Sequence, residues 1–311
     1  MIISASRRTD IPSFYGEWFI NRINKGFLFV RNPFNPAVVY KININPGVVD
    51  CIVFWTKNPD SFIDKLQYLS QYKYYFLFTV TPYDRTLERN LPDKKDIIDT
   101  FRILSGKIGR ERVIWRYDPV IYTDKINMDY HLKKFEYLLK ELHRHTGKCI
   151  ISFIHMYNKC RRNLKGTGAR ELTDEEMFVI SEKMVQMANN YNIKIETCAN
   201  KTDLSACGIS RGSCIDKKLI EKIVGRNLNI SKDKNQRKEC NCFESIDIGV
   251  YNTCLHNCLY CYANYNFETA RQNYKRHYPE SPFLTGKSTD KDTIQDRKQK
   301  SLITNDVQMF S

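Results

Sequence analysis

No apolar run in this sequence approaches about 18 uninterrupted residues, which excludes a helix built to cross a bilayer. The first residues, MIISASRRTDIP, lack the basic-then-apolar order of a secretory leader. Five apolar or small residues run straight into charge, so the expected compartment is the cytoplasm. Internal repeats and low-complexity tracts are missing, and with them any case for a solenoid. Acid is the scarce charge, 35 Asp and Glu against 49 Lys and Arg, for a formal net charge of +14. A surface of that sign attracts polyanions by releasing their counterions, which admits nucleic acid, a nucleotide or an anionic cofactor as partner. A lysine-rich solvated face has the same composition.

At 311 residues and 42% apolar, the chain is long enough to bury a sizeable core, and barrels of this length are commonly single domains. Short β-branched or aromatic runs alternate with amphipathic segments as far as Arg226, the order expected of parallel strands joined by helices. Six strands are expected, at 2–6, 51–56, 75–81, 113–117, 150–155 and 194–198. Within 130–145, Leu132, Phe135, Leu138, Leu139 and Leu142 share one helical face, and Thr173 with Glu176 makes the capping box of another helix. Segment 27–42, punctuated by Pro33 and Pro36, reads as an excursion or hairpin, and the polar stretch 227–239 as an exposed loop. A seventh strand at 245–251, a cysteine loop and a helix at 262–274 follow. The expected fold is therefore α/β, a (β/α) barrel or partial barrel of six to seven parallel strands. One domain would span 1–278, with a cysteine-rich segment at 240–264, and 279–311 would form a polar tail, extended or partly ordered.

Eleven cysteines, an odd number, suit metal or redox work in a reducing compartment better than disulfides. Cys254, Cys258 and Cys261 stand at C-x3-C-x2-C spacing within YNTCLHNCLYCYAN. Three thiolates on one tight loop hold three irons of a [4Fe-4S] cubane and leave the fourth iron free for a small molecule. A zinc site would want a fourth ligand, and the nearest candidates, His256 and Cys242 twelve residues upstream of Cys254, give no paired zinc-finger spacing. Plain structural thiols are the third reading.

The three cysteines with an aromatic residue before the last resemble the signature of radical S-adenosylmethionine (radical SAM) enzymes. With Tyr262-Ala263-Asn264 included, the string resembles their spore photoproduct lyase branch. Over nearly its whole length the chain resembles domain-of-unknown-function family 1848, an uncharacterised bacterial and archaeal family. The strings that carry this are SASRRTDIPSFY at 4–15, FWTKNP at 54–59, RYDP at 116–119 and CNCFESIDIGVYNTCLHNCLYCYAN at 240–264. The radical SAM resemblance implies a circularly permuted barrel, its usual first strand–loop–helix unit moved to the C-terminal end. It implies S-adenosylmethionine chelated to the open iron, an electron donor as partner, and a 5′-deoxyadenosyl radical that abstracts hydrogen from an unknown substrate. Tyr260 would touch the adenine, and His256 and Asn257 would shield the cluster. One departure stands out: no Gly-Gly-Glu string follows the second strand, where many of these enzymes fix the methionine amino group.

Loops leaving the C-terminal ends of barrel strands converge on one mouth. Six expected strands end in polar strings, among them Ser6-Arg7-Arg8-Thr9-Asp10, Thr56-Lys57-Asn58, Arg116-Tyr117-Asp118-Pro119 and Glu196-Thr197-Cys198. Arg8, Asp10, Arg116 and Glu196 are the candidate catalytic residues; the same charges would equally serve as an ion-pair network closing the barrel top. Cys198, Cys214, Cys240 and Cys242, with Cys207 as substitute, form a second constellation for an Fe-S cluster or zinc, against reduced thiols that merely pack. Cys51 and Cys149 read as core, and Cys160 as a loop residue without a partner. The leading function is a radical SAM-like iron–sulfur enzyme. The alternative is a basic nucleic-acid-binding protein with a structural Fe-S or zinc site, in which tyrosines among basic residues at 72–75 and 265–278 stack on bases.

Overall fold

The computed structural model describes residues 1–307, so the last four residues of the polar tail lie outside it. The chain opens with β1 (Ile2–Ala5), α1 (Ile11–Phe14) and α2 (Gly16–Lys25), then β2 (Phe27–Arg31) and β3 (Val38–Asn43). Next come β4 (Cys51–Thr56), a 3₁₀ segment Asp60–Leu69, β5 (Tyr74–Thr79), α3 (Lys94–Ile108), β6 (Val113–Val120) and α4 (Met128–Leu142). They lead to β7 (Lys148–Phe153), α5 (Asn158–Asn163), α6 (Asp174–Asn189), β8 (Lys194–Thr197), β9 (Ser210–Arg211), α7 (Lys217–Val224) and β10 (Arg226–Leu228). The last elements are β11 (Ile246–Asp247), α8 (Phe267–Lys275), β12 (Thr293–Asp296) and β13 (Ile303–Val307).

Eight of these strands form one sheet in the order β11-β1-β4-β5-β6-β7-β8-β9, and each neighbouring pair is parallel. Strands β4 and β5 are buried from end to end, which is why they read as continuous apolar runs: both faces of the sheet are covered. One face sends Phe54, Phe76, Phe78, Trp115 and Ile151 against the helices, including Phe101 of α3 and Phe135, Leu138 and Leu139 of α4. The other sends Val53, Trp55, Tyr75, Leu77, Ile114 and Ile150 against Ile220 of α7 and Leu228 of β10, together with Cys214 and Cys242. Local signals hold where they were strongest. The Thr173–Glu176 capping box opens α6, and Asn127 caps α4 by accepting from the Tyr130 amide at 3.0 Å.

Several expectations need correction. Among the described residues the terminal strands β9 and β11 do not pair with each other, so the sheet stays open rather than closing as a barrel. It has eight strands because the two-residue β9, too short to show periodicity, adds to β8. The strand expected at 245–251 shrinks to two residues, since the Asp247 carboxylate takes hydrogen bonds from Ser4 Oγ (2.9 Å), Ser6 Oγ (2.6 Å), the Arg7 amide (2.9 Å) and the Gly249 amide (3.0 Å) and turns the chain. The helix expected from 262 starts at Phe267, where Asn266 caps it by accepting from the Thr269 amide at 2.8 Å. The polar tail is not free. Strand β12 pairs with β3 beside the β2–β3 hairpin, β13 pairs with β10, and Asp292 holds Arg31 in a bidentate pair at 2.6 and 2.8 Å. These are backbone and ion-pair ties, which leave no trace in apolar periodicity.

Candidate functional site

The loop carrying Cys254, Cys258 and Cys261 lies across the C-terminal ends of the parallel strands, tied down by residues that directly follow them. Asp10, beyond β1, accepts from His256 Nε2 (2.8 Å), Thr56 Oγ1 (3.1 Å) and the Lys57 amide (2.7 Å) while capping α1 through the Ser13 amide (3.0 Å). The loop backbone bonds to the segment beyond β5: Leu259 donates to Leu87 O at 2.9 Å and Asn90 donates to His256 O at 3.1 Å. Past β7, Cys160 Sγ donates to Tyr260 O at 3.1 Å and Lys159 Nζ to Tyr262 O at 3.3 Å. Cys160 is thus buried and partnered, a position its basic sequence neighbours concealed.

Glu88 is the charged centre of this docking. It is 1% exposed and receives Lys57 Nζ (2.7 Å), Lys94 Nζ (3.0 Å), Thr81 Oγ1 (2.5 Å) and the Tyr260 hydroxyl. Burial alone would raise its pKa, but Lys57 and Lys94 outweigh that and hold it at about 2. Burial also pushes up the thiols of Cys254, Cys258 and Cys261, which sense one another's charge without sulfur–sulfur hydrogen bonds. Backbone N–H groups nevertheless point at two of these sulfurs, His256 at Cys254 and Ala263 with Asn264 at Cys261, the latter at 3.4 Å for Ala263. N–H donors of this kind favour thiolate and are what a cluster's sulfur ligands require.

The structure gathers Asp10, His256 and Tyr260 into the loop's anchors. His256 is buried, its Nδ1 without a partner, and Asn257 adopts a left-handed backbone (φ 54°) at the turn between Cys254 and Cys258. Arg8 stands apart from the thiols, over the Tyr251 ring at 5.1 Å and donating to Gly249 O at 3.4 Å. Arg116 pairs with Asp118 on the inner sheet face, its Nε buried and unpartnered. Glu196 is held by Lys148 (3.1 Å) and Lys194 (2.8 Å), both at the starting ends of their strands, so it belongs to an ion-pair network away from the cysteine loop. Glu88, Lys94 and Asp247 were missed by sequence reasoning. Glu88 and Lys94 lie several residues past a strand end, in a stretch of mixed charge where nothing sets them apart from Asp84, Arg85, Arg89, Asp93 and Lys95.

A cleft of about 920 Å³ opens beside this anchor, between residues 82–94 and α4, with Glu88 and Lys94 in its wall and no cysteine. Among the described residues no group of three or more Cys, His, Asp or Glu converges as a finished metal-ligand set. Asp10→Asn is expected to cost about 1–2 kcal/mol in urea denaturation, because an amide cannot accept from all the donors that meet the Asp10 carboxylate.

No curated protein matches the sequence. Solved structures that match include one described as a candidate alpha-L-fucosidase from Bacteroides thetaiotaomicron VPI-5482, at 12% identity over 49% of this chain. The match spans 64% of that chain, less than two thirds, and at a TM-score of 0.25 it carries no argument about fold or activity. The family model matching residues 2–263 is described as a domain of unknown function, DUF1848, and the chain belongs to that family.

Proposed function

We propose that this protein is an iron–sulfur enzyme of the radical SAM kind, with an open [4Fe-4S] cluster on Cys254, Cys258 and Cys261. One observation carries the reading: three thiols on a single loop, two of them fed by backbone N–H donors, are docked over the C-terminal ends of parallel strands, and the neighbouring Cys160 thiol is engaged with Tyr260 O. The strand order supports permutation, since the late β11 pairs with β1 and places the loop where a first βα unit would stand; the open sheet is then a partial barrel. When bound, the cluster and S-adenosylmethionine would supply one-electron cleavage of the sulfonium bond. The chain's own part is positioning. Lys57, half-buried between Glu88 and Cys258 and pushed upward in pKa by that pair against desolvation, stays charged and offsets the anionic thiolates. Tyr260 and Tyr83 pack edge to face at 5.7 Å and wall the site from water.

The test is anaerobic reconstitution with iron and sulfide, followed by electron paramagnetic resonance of the reduced protein with and without S-adenosylmethionine. The expected outcome is a [4Fe-4S] signal that shifts with the cofactor and is lost in Cys258→Ala, together with release of 5′-deoxyadenosine. A signal indifferent to the cofactor, or no cluster at all, overturns the reading. One observation favours nucleic acid as the partner: around the cysteine loop Tyr251, Tyr262 and Tyr265 are exposed, with Lys159 over Tyr251 at 5.5 Å and Arg162 over Tyr265 at 4.1 Å. Binding to single-stranded oligonucleotide that falls steeply between low and moderate salt supports that partner; undetectable binding at low salt removes it.

A further inference from the structure

The sheet's open side, between β9 and β11, is crossed by residues 212–245, and the remaining cysteines meet there. Cys198 directly follows β8, Cys214 follows β9, and Cys240 and Cys242 precede β11. Cys198 Sγ lies 3.5 Å from Cys214 Sγ, Cys242 Sγ receives the Cys214 amide at 3.3 Å, and Cys240 stands two residues before Cys242. Cys207, the alternative fourth member, points elsewhere and donates to Phe178 O at 3.6 Å. Three of the four cysteines thus meet at one turn, with the fourth two residues away in sequence. With a metal–sulfur distance of about 2.3 Å, the sulfurs of a tetrahedral thiolate site stand about 3.8 Å apart, close to the Cys198–Cys214 spacing. Thiolates on different irons of a cubane must stand farther apart, since an iron–iron edge lies between them. Cys198 and Cys240 are the two incompletely buried members.

Two further observations point to an anionic metal–thiolate unit. Cys242 Sγ receives backbone N–H groups from Cys214 (3.3 Å) and Ile215 (3.5 Å), the donor pattern that supports a coordinated thiolate. Arg7 and Arg116, each with a buried nitrogen that has no hydrogen-bond partner, face the same sulfurs: Arg7 senses Cys242, Cys214 and Cys240, and Arg116 senses Cys214, Cys198 and Cys242. Ion pairs with Asp233 at 4.0 Å, for Arg7, and with Asp118, for Arg116, leave those nitrogens unused.

We infer that Cys198, Cys214, Cys240 and Cys242 bind one divalent metal ion of the zinc class, a structural site that joins the two ends of the open sheet. Four thiols give up four protons on binding, and the resulting unit carries two negative charges, which the Arg7 and Arg116 guanidinium groups offset. The site is independent of the cluster reading.

The experiment uses the full chain with Cys254, Cys258 and Cys261 all changed to Ser, so that loss of the cluster cannot imitate the result. After exhaustive desalting, metal analysis is expected to find about one zinc or iron per chain without acid-labile sulfide. X-ray absorption should show four sulfur neighbours at about 2.3 Å. Cobalt exchanged into the site should give the intense visible bands of a tetrahedral thiolate. Adding Cys242→Ser should lower metal retention at least tenfold, and adding Cys207→Ser should leave it unchanged. A folded triple variant that retains no metal, a site with nitrogen or oxygen ligands, or stoichiometric sulfide each overturns the inference. If Cys242→Ser fails to fold, the absorption and cobalt measurements on the triple variant decide alone.

Discussion

Glu88→Gln is expected to lower stability by about 2–3 kcal/mol, measured by urea denaturation at pH 7, because it leaves two half-buried ammonium groups facing an uncharged amide. Lys57 and Lys94 both converge on this 1%-exposed carboxylate, and among the described residues neither has another acid within ion-pair distance. The loss should reach the cysteine loop, since the Tyr260 hydroxyl binds the same oxygen as Lys57. Limited proteolysis of Glu88→Gln is therefore expected to cut first near residues 254–262. Removing one of the stranded cations as well, in Glu88→Gln with Lys94→Met, should restore part of the stability. The pH signature has a definite direction. Glu88 is held at about 2 against an ordinary value near 4.5, so its contribution is complete above pH 4.5 and fades as pH falls toward 2. A cost below about 1 kcal/mol, with proteolysis unchanged, would show that the loop is held by its backbone bonds alone.

The parallel α/β architecture was legible because buried strands betray themselves: CIVFWT and YYFLFT are apolar or aromatic almost throughout. Helix α4 was legible from Phe135, Leu138, Leu139 and Leu142, and the α6 boundary from Thr173 and Glu176. What stayed hidden is held by polar groups acting across long sequence separations. Asp247 organises the turn after β11 through Ser4, Ser6 and Arg7, far away at the other end of the chain, and no local pattern marks it. Tail strands β12 and β13 pair through backbone amides, which carry no side-chain signature. The three-cysteine loop was found from spacing, but spacing could not say that His256 would turn inward to Asp10 instead of facing the sulfurs. Glu196 stands near a strand end, and its carboxylate pairs with Lys148 and Lys194 at the starts of their strands, contacts that its own strand does not announce.

His131 alone should take about 3 kcal/mol from stability between pH 7 and pH 4. The imidazole is fully buried on α4, with Nδ1 at 2.8 Å from the Tyr117 hydroxyl and Nε2 at 2.9 Å from Ile121 O. Tyrosine rings surround it, Tyr83, Tyr117, Tyr122 and Tyr130 at centroid distances of 6.0, 5.8, 5.9 and 5.9 Å, and none of them carries a compensating charge at these pH values. Burial lowers its pKa from 6.5 to about 4, only partly offset by the bond to Ile121. The folded state is thus the weaker proton binder. The His131 contribution is present above pH 6.5 and is lost as pH falls through the interval down to 4, at about 1.4 kcal/mol for each pH unit crossed. This window lies above that of Glu88, so the two residues separate in a single pH series. In His131→Gln the slope between pH 6.5 and 4.5 should drop by up to one proton while the slope below 4.5 remains, even though the variant is less stable at every pH. An NMR titration showing His131 in the folded protein gaining its proton near pH 6.5 would reject the argument, because the buried ring would then cost nothing to charge. The neutral ring also fixes a direction of donation: Tyr117 gives its hydroxyl proton to Nδ1 and Nε2–H gives to Ile121 O. That chain of bonds links β6 to α4 beside Tyr83, whose ring packs on both His131 and Tyr260, so acid that charges His131 loosens the support of the cysteine loop before it reaches Glu88.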